Sequence, residues 1–190
     1  MKKFSSLHRT INSIINFKRD RKDYKKAIEF INSVLPHTKE TLLEDFLKEN
    51  NLPVKKPVID KIHRGRGSVV IHETFVLCSV AKALKPKLIL EIGTCEGTTA
   101  MNMSMNIGKD SKIYTLDIAD DAGRYEAGKY AKDNDKVVML IGDSTKYDFS
   151  RFYGKMDFIF IDGNHTYDAT LSDSENALKC IKNDGLCCLA

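Results

Sequence analysis

The chain has 190 residues, 42% of them hydrophobic and 29% charged, which suits one soluble domain with a sizeable core. No apolar run nears the ~20 residues that span a bilayer, and the polar stretch after Met1-Lys2-Lys3 is no signal sequence, so a cytoplasmic protein is expected. Five cysteines, odd in number and without a C-x-x-C pair, argue against a zinc or disulfide framework. The net charge of +4 divides unevenly: residues 1–66 hold 16 Lys/Arg against 8 Asp/Glu, and residues 67–190 hold 14 against 18.

The basic first third is read as a helical extension or cap over residues 1–66. Tyr24, Ala27, Ile28, Ile31, Val34 and Leu35 recur at helical spacing up to Pro36. Thr38 can cap a second helix carrying Leu42, Leu43, Phe46 and Leu47. Both are too short to bury an apolar face alone, so they should pack on the main domain or on a second subunit. The positive charge leaves an acidic partner open, against the plainer reading of a solvated face. Aromatics do not interleave with the basic residues, so nucleic acid is not favoured. The turn His63-Arg64-Gly65-Arg66-Gly67 could clamp a carboxylate or phosphate, or serve as a flexible linker.

From residue 67 onward strands and helices alternate. A helix is expected over 71–84, then 88–93 (strand), 98–107 (helix), 112–118 (strand), 121–133 (helix), 136–141 and 156–161 (strands), 167–182 (helix) and 185–190 (strand). Such βαβ alternation implies a doubly wound, Rossmann-like parallel sheet with helices on both faces. The first strand carries Glu91 and runs into Gly93-Thr94-Cys95-Glu96-Gly97-Thr98-Thr99. Gly93 and Gly97 permit backbone angles and close approach that a Cβ would block, and Thr98 and Thr99 are candidate caps of the next helix. The spacing is G-x-x-x-G with an acid two residues upstream, not the G-x-G-x-x-G of dinucleotide sites. A cofactor without pyrophosphate but with an amine and a carboxylate suits it, and S-adenosylmethionine has both.

Asp117 ends the second strand 26 positions after Glu91, where a carboxylate can accept from two ribose hydroxyls. Gly142-Asp143-Ser144 ends the third; it is either a polar turn or a loop facing adenine. The fourth strand delivers Asp162-Gly163-Asn164-His165-Thr166-Tyr167 to the same edge of the sheet. An imidazole there can accept an alcohol proton at neutral pH, though His165 also suits a plain helix N-terminus.

These segments together resemble class I S-adenosylmethionine-dependent methyltransferases, and Asp162-x-x-His165-x-Tyr167 resembles those that modify hydroxyls of sugars, macrolides and related small molecules. The resemblance covers roughly residues 67–190, the first five strands of a seven-stranded fold. It implies an O-methyltransferase with a small hydroxylated acceptor. Glu91, Gly93, Thr94, Gly97, Thr98, Thr99, Asp117, Ile118, Gly142, Asp143 and Ser144 would hold the cofactor. Asp162 would ligate Mg²⁺ or another divalent cation, and His165 would act as general base. A second acidic ligand would follow the fifth strand, at or past Ala190, so a chain truncated at its C-terminus is expected. An exposed last strand or the N-terminal helices would offer a surface for self-association. Two alternatives stay open: a non-catalytic fragment or subunit of the same fold that binds the cofactor or a partner without turnover, and, less well matched in loop spacing, a nicotinamide-dependent oxidoreductase.

Overall fold

The computed structural model describes residues 42–60, 62, 69–118 and 125–190. The expected helix over Tyr24–Leu35, the Thr38 cap, the Gly-Arg-Gly turn and the start of the expected 121–133 helix lie outside the described residues. The elements are α1 (Leu43–Glu49), α2 (Ile71–Leu84), β1 (Leu88–Ile92), α3 (Thr98–Ser104), β2 (Lys112–Asp117), β3 (Val137–Ile141), β4 (Met156–Ile161), α4 (Tyr167–Cys180) and β5 (Ile181–Leu189), with a 3₁₀ turn at Ser150–Phe152.

All five strands are parallel, in the order β3-β2-β1-β4-β5. β1 is central, paired with β2 on one side and β4 on the other, and its Ile89, Leu90, Glu91 and Ile92 are buried. A strand covered on both faces reads as a continuous apolar run, which is why Leu88-Ile-Leu-Glu-Ile looks as it does. Alternation then sends neighbouring side chains to opposite layers. Ile89, Ile113, Phe158 and Phe160 join α1, α2 and α3 in one core cluster. Leu90, Ile92, Leu116, Ile159 and Ile161 join Ala177 and Cys180 of α4 in the other. Each such fully enclosed side chain contributes roughly 1.5–3 kcal/mol, so the two layers carry most of the stability.

Three expectations change. Residues 127–133 form turns where a helix was expected. The cause is a competing set of backbone bonds: Gly128 N–H donates to Cys95 O (2.8 Å) and Tyr130 N–H to Glu96 O (2.9 Å), which ties this stretch to the loop after β1. α3 ends at Ser104, short of 107, because its last turn tightens to i→i−3 bonds, Asn106 N–H to Met103 O among them. α4 ends at Cys180 and β5 begins at Ile181, four residues early. Pairing jumps from Met156↔Ile181 to Phe158↔Leu186, a bulge on β5. Gly185 makes it feasible, since a Cβ there would lie 2.7 Å from the Ile181 side chain and 3.0 Å from Met156 O.

Ahead of α2, an extended segment is fastened to α3 by two asparagines. Asn106 accepts from Val58 N–H (2.8 Å) and donates to Val58 O (2.7 Å), and Asn102 accepts from Asp60 N–H (3.0 Å). Placed four apart, on α3 and in the turn just after it, the two amides act like a neighbouring strand. Among the described residues no helix is long and apolar enough to cross a membrane.

Candidate functional site

The sheet order reverses between β1 and β4, and open α/β sheets bind ligands at such a point, beyond the carboxyl ends of the strands. A cleft of about 700 Å³ opens there. The loop after β1 gives it Gly93 and Cys95; the end of β2 gives Asp117 and Ile118, and Tyr125 comes from the stretch ahead of β3; the loop after β3 gives Gly142, Asp143, Ser144 and Thr145; the loop after β4 gives Asp162, Gly163, Asn164 and His165. Parallel pairing runs on past the strands into these loops. Gly93 N–H donates to Leu116 O (2.8 Å), Gly142 N–H to Asp117 O (2.9 Å) and Asp162 N–H to Ile92 O (2.7 Å). The four loops therefore start from one rigid edge.

Gly93 has φ +100, and a Cβ on it would lie 2.0 Å from Asp162 O, so only glycine lets the β1 and β4 loops meet. Cys95 is held at φ +47, and its N–H donates to Asp117 Oδ2 (2.6 Å). Asp117 Oδ1 accepts from Ile118 N–H (2.8 Å) and from the Tyr125 hydroxyl (3.4 Å). The acid at the tip of β2 thus fixes the β1 loop while it borders the cleft.

Of the eleven residues expected to hold a cofactor, Gly93, Asp117, Ile118, Gly142, Asp143 and Ser144 line the cleft, whereas Glu91, Thr94, Gly97, Thr98 and Thr99 stand behind it. Glu91 is wholly enclosed; it shares the face of β1 that Ile89 presents to α2 and α3, opposite Thr115 of β2. The Thr115 hydroxyl bonds Glu91 Oε2 and lies 2.7 Å from the Thr94 hydroxyl, while Oε1 has no partner. Burial pushes the Glu91 carboxyl up to about 8, with the Asp162 and Asp117 charges adding and Thr115 opposing. Gly97, not a threonine, is the N-cap of α3, at φ +80 and with no side-chain cap bond. Its missing Cβ leaves room for Gly128 and Ala131, at 3.0 and 2.9 Å from where it would sit. The expected threonine caps are therefore not formed: Thr98 and Thr99 are already inside the helix, and the Thr98 hydroxyl is buried without a partner.

Asp143 accepts from the Thr145 N–H (3.0 Å) and hydroxyl (2.7 Å) and pairs with Lys146 (3.0 Å). Those bonds, Thr145 first, hold its carboxyl down to about 2. The polar turn and the cleft-lining loop are thus one feature. Asp162 is mostly buried, which pushes its carboxyl up to about 6; Glu73 of α2 adds to this and His165 opposes it. His165 Nε2 lies 3.6 Å from Asp162 Oδ1, with the ring largely exposed at the rim. An acid and an imidazole so placed form a dyad that tightening around a ligand can close.

A divalent cation is poorly served by these residues. Among the described residues no three His, Cys, Asp or Glu side chains converge, and a hard cation takes six or more mostly oxygen ligands. Asp162 and His165 offer two donors, and these face one another. None of the five cysteines forms a disulfide, and burial raises the Cys78 thiol to about 12.

Sequence reasoning missed Tyr125, Thr145, Gly163 and Asn164 at the cleft. Gly163 and Asn164 sit inside a loop that was singled out, so adjacency alone would have found them. Tyr125 follows a non-local fold of the chain and left no local signal.

No curated protein matches the chain. Solved structures do, at the level of fold. An O-methyltransferase from Bacillus cereus in complex with SAH is 24% identical with a TM-score of 0.52, over 83% of this chain and 68% of that one. A SAH-bound methyltransferase from Podospora anserina is 18% identical at 0.52, over 90% and 70%. The O-methyltransferase TomG from Streptomyces achromogenes, involved in tomaymycin synthesis and solved with SAM, is 16% identical at 0.50, over 90% and 74%. A family model described as a methyltransferase domain matches residues 90–189, from the middle of β1 to the end of β5. That match takes in more than half of the chain and every residue that lines the cleft, and by it the chain belongs to the methyltransferase-domain family.

Proposed function

We propose that this protein transfers the methyl group of S-adenosylmethionine to a hydroxyl of a small metabolite, with a sugar or natural product as the favoured acceptor class. The observation that carries the reading is the placement of Asp117 and the Asp162–His165 pair around one cleft, at the ends of the two strands that flank β1. Asp117 and Ile118 would take the ribose and one face of adenine, with Gly142, Asp143 and Ser144 on the base's polar edge. Gly93 would let the methionine portion lie against the backbone. Glu91, Thr94, Gly97, Thr98 and Thr99 would act one layer back, by shaping the loop. The names of the solved structures, O-methyltransferases bound to SAM or SAH and one engaged in natural-product synthesis, support the cofactor and the acceptor class.

The cleft's charge suits that cofactor. Asp117, Asp143 and Asp162 border it and Glu73 acts on Asp162 from α2. A sulfonium with an ammonium group is drawn to such a field, whereas its neutral thioether product is not held as strongly. Transfer is an in-line displacement: the acceptor oxygen bonds the methyl carbon as the S–CH₃ bond breaks, and its electron pair stays on sulfur. Alignment supplies much of the rate. The acceptor proton would go to His165. With Nε2 turned to Asp162, Nδ1 is the free acceptor, and the carboxylate stabilises the imidazolium that forms. The basic N-terminal residues would roof the acceptor, and self-association through them or through β5 is part of the same proposal.

Calorimetric titration with S-adenosylmethionine and its demethylated product SAH tests the reading. Micromolar binding that an Asp117→Ala variant loses by about tenfold or more is expected. A folded wild-type chain that binds neither compound would sink it. Turnover of hydroxylated acceptors, lost in His165→Ala with SAH affinity kept, would assign the base.

A further inference from the structure

The inner stripe of α4 contains an acid. Ala169, Asp173, Ala177 and Cys180 follow one another at helical spacing and all four are buried. Ala169 lines the cleft, and Ala177 and Cys180 belong to the apolar cluster beneath the sheet. Asp173 lies between them, wholly enclosed, and neither of its carboxylate oxygens has a hydrogen-bond partner. A residue of similar size without charge would be easier to bury there, so the carboxylate stands where stability alone would not put it.

Its surroundings say what it serves. A Cβ on Gly163 would sit 3.1 Å from Asp173 Oδ2, so the absent side chain of Gly163 is what gives the carboxylate room. Burial pushes the Asp173 carboxyl up and the Asp143 charge on the neighbouring loop adds to this, while the Ser144 hydroxyl is near enough to oppose the shift without completing a hydrogen bond. Ser144, Asp143 and Gly163 all line the cleft, on the loops after β3 and β4. Asp173 thus sits directly behind the wall where those two loops meet.

Resting on the adenosyl-cofactor reading, we propose that Asp173 is a positioning residue for the adenine side of the site. Its carboxylate takes the hydroxyl hydrogen of Ser144 when the base seats against residues 142–145. That bond fixes the Ser144 backbone with its N–H toward the ring. The partner the carboxylate lacks without ligand is supplied by the loop once ligand holds it in place. The orphaned acid is then a stability cost in the free protein that contributes to affinity in the complex.

The test uses the full chain and SAH as probe, with four variants: Asp173→Leu, Asp173→Asn, Ser144→Ala and the Asp173→Asn/Ser144→Ala double. In Asp173→Leu the melting temperature of the free protein should rise while SAH affinity falls about tenfold. Asp173→Asn, whose amide oxygen still accepts from the serine, should recover most of that loss. Ser144→Ala should weaken SAH binding, and in its background Asp173→Asn should cost nothing further. If Asp173→Leu does not fold, the Asn and Ser variants decide by that cycle. SAH affinity within twofold of wild type in all variants would overturn the proposal, as would a further loss of more than twofold when Asp173→Asn is added to Ser144→Ala. A wild-type chain that folds but binds no SAH would remove the cofactor reading and this inference together. Binding by the wild type with unchanged variants would remove this inference alone.

Discussion

Replacing Gly93 by alanine puts the contact between the β1 and β4 loops to a direct test. The new methyl would start 2.0 Å from Asp162 O, 2.5 Å from Asp162 C and 2.9 Å from Gly163 N, all backbone atoms that cannot swing aside. A normal contact needs more than an ångström of extra space, so one loop must move. Moving the β4 loop strains the Asp162 N–H to Ile92 O bond, and moving the β1 loop strains Gly93 N–H to Leu116 O. Three costs combine: about 1–2 kcal/mol for a side chain at positive φ, about 1–3 for overpacking and about 1 for a weakened bond. The sum is about 4 kcal/mol, which for a domain of this size lowers the melting temperature by about 10 °C. Gly154→Ala is the internal control. It also has positive φ (+65), but a Cβ there meets nothing within 4 Å, so only the strain remains, about 1 kcal/mol and ~3 °C. Thermal denaturation of both variants followed by circular dichroism gives the comparison. A Gly93→Ala protein that melts within 3 °C of Gly154→Ala would refute the reasoning, because the two glycines would then differ only in name.

Asp162 gives a pH signature. Its carboxyl titrates near about 6 in the free protein, so below that pH the site loses a negative charge; S-adenosylmethionine should then lose about fivefold in affinity between pH 7.5 and 5 while SAH changes little, and calorimetry showing the same pH slope for both ligands would contradict it. Glu91 acts on stability with a definite sign. Its folded value of about 8 lies above the ordinary 4.5, so folding takes up a proton between those limits and stability falls as pH rises from 4.5 to 8. Glu91→Gln removes that dependence and should stabilise the fold at pH 7.5 by up to about 4 kcal/mol, read from urea melts at pH 5 and 7.5; an equal effect at both pH values would count against it. Asn106→Ala removes both bonds to Val58, so proteolysis within residues 53–60 should accelerate several-fold with the melting temperature of the sheet domain lowered by only a few degrees; equal protease resistance would show that the asparagine does not hold the segment.

What could be read from the amino-acid sequence, and what could not, follows from the range of the forces involved. The strands were legible because burial on both faces writes itself into consecutive residues, as in Met156-Asp-Phe-Ile-Phe-Ile161. Once the strands are parallel, every strand ends at the same edge, so Asp117, Asp143 and Asp162 had to meet without any further information. The turns at 127–133 were not legible, because the bonds from Gly128 and Tyr130 to Cys95 and Glu96 join segments some thirty residues apart and override local helical preference. The bulge at Gly185 likewise depends on Met156, far back in the chain. Glu91 is the instructive case. An acid two residues before a loop glycine invites a ligand role, yet period-2 alternation already placed it on the side of Ile89, under the helices and opposite Thr115. The acid at the start of the loop supports the cleft from beneath, and Asp173 stands behind it from the other layer. Two carboxyl groups that no water reaches thus stand behind a cleft already bordered by three more. Neither has a cation partner among the described salt bridges, and each gives up stability that an apolar residue would have supplied. A fold selected only for stability would discard both, so their presence around this one cleft fits a stability cost retained for the ligand site proposed above.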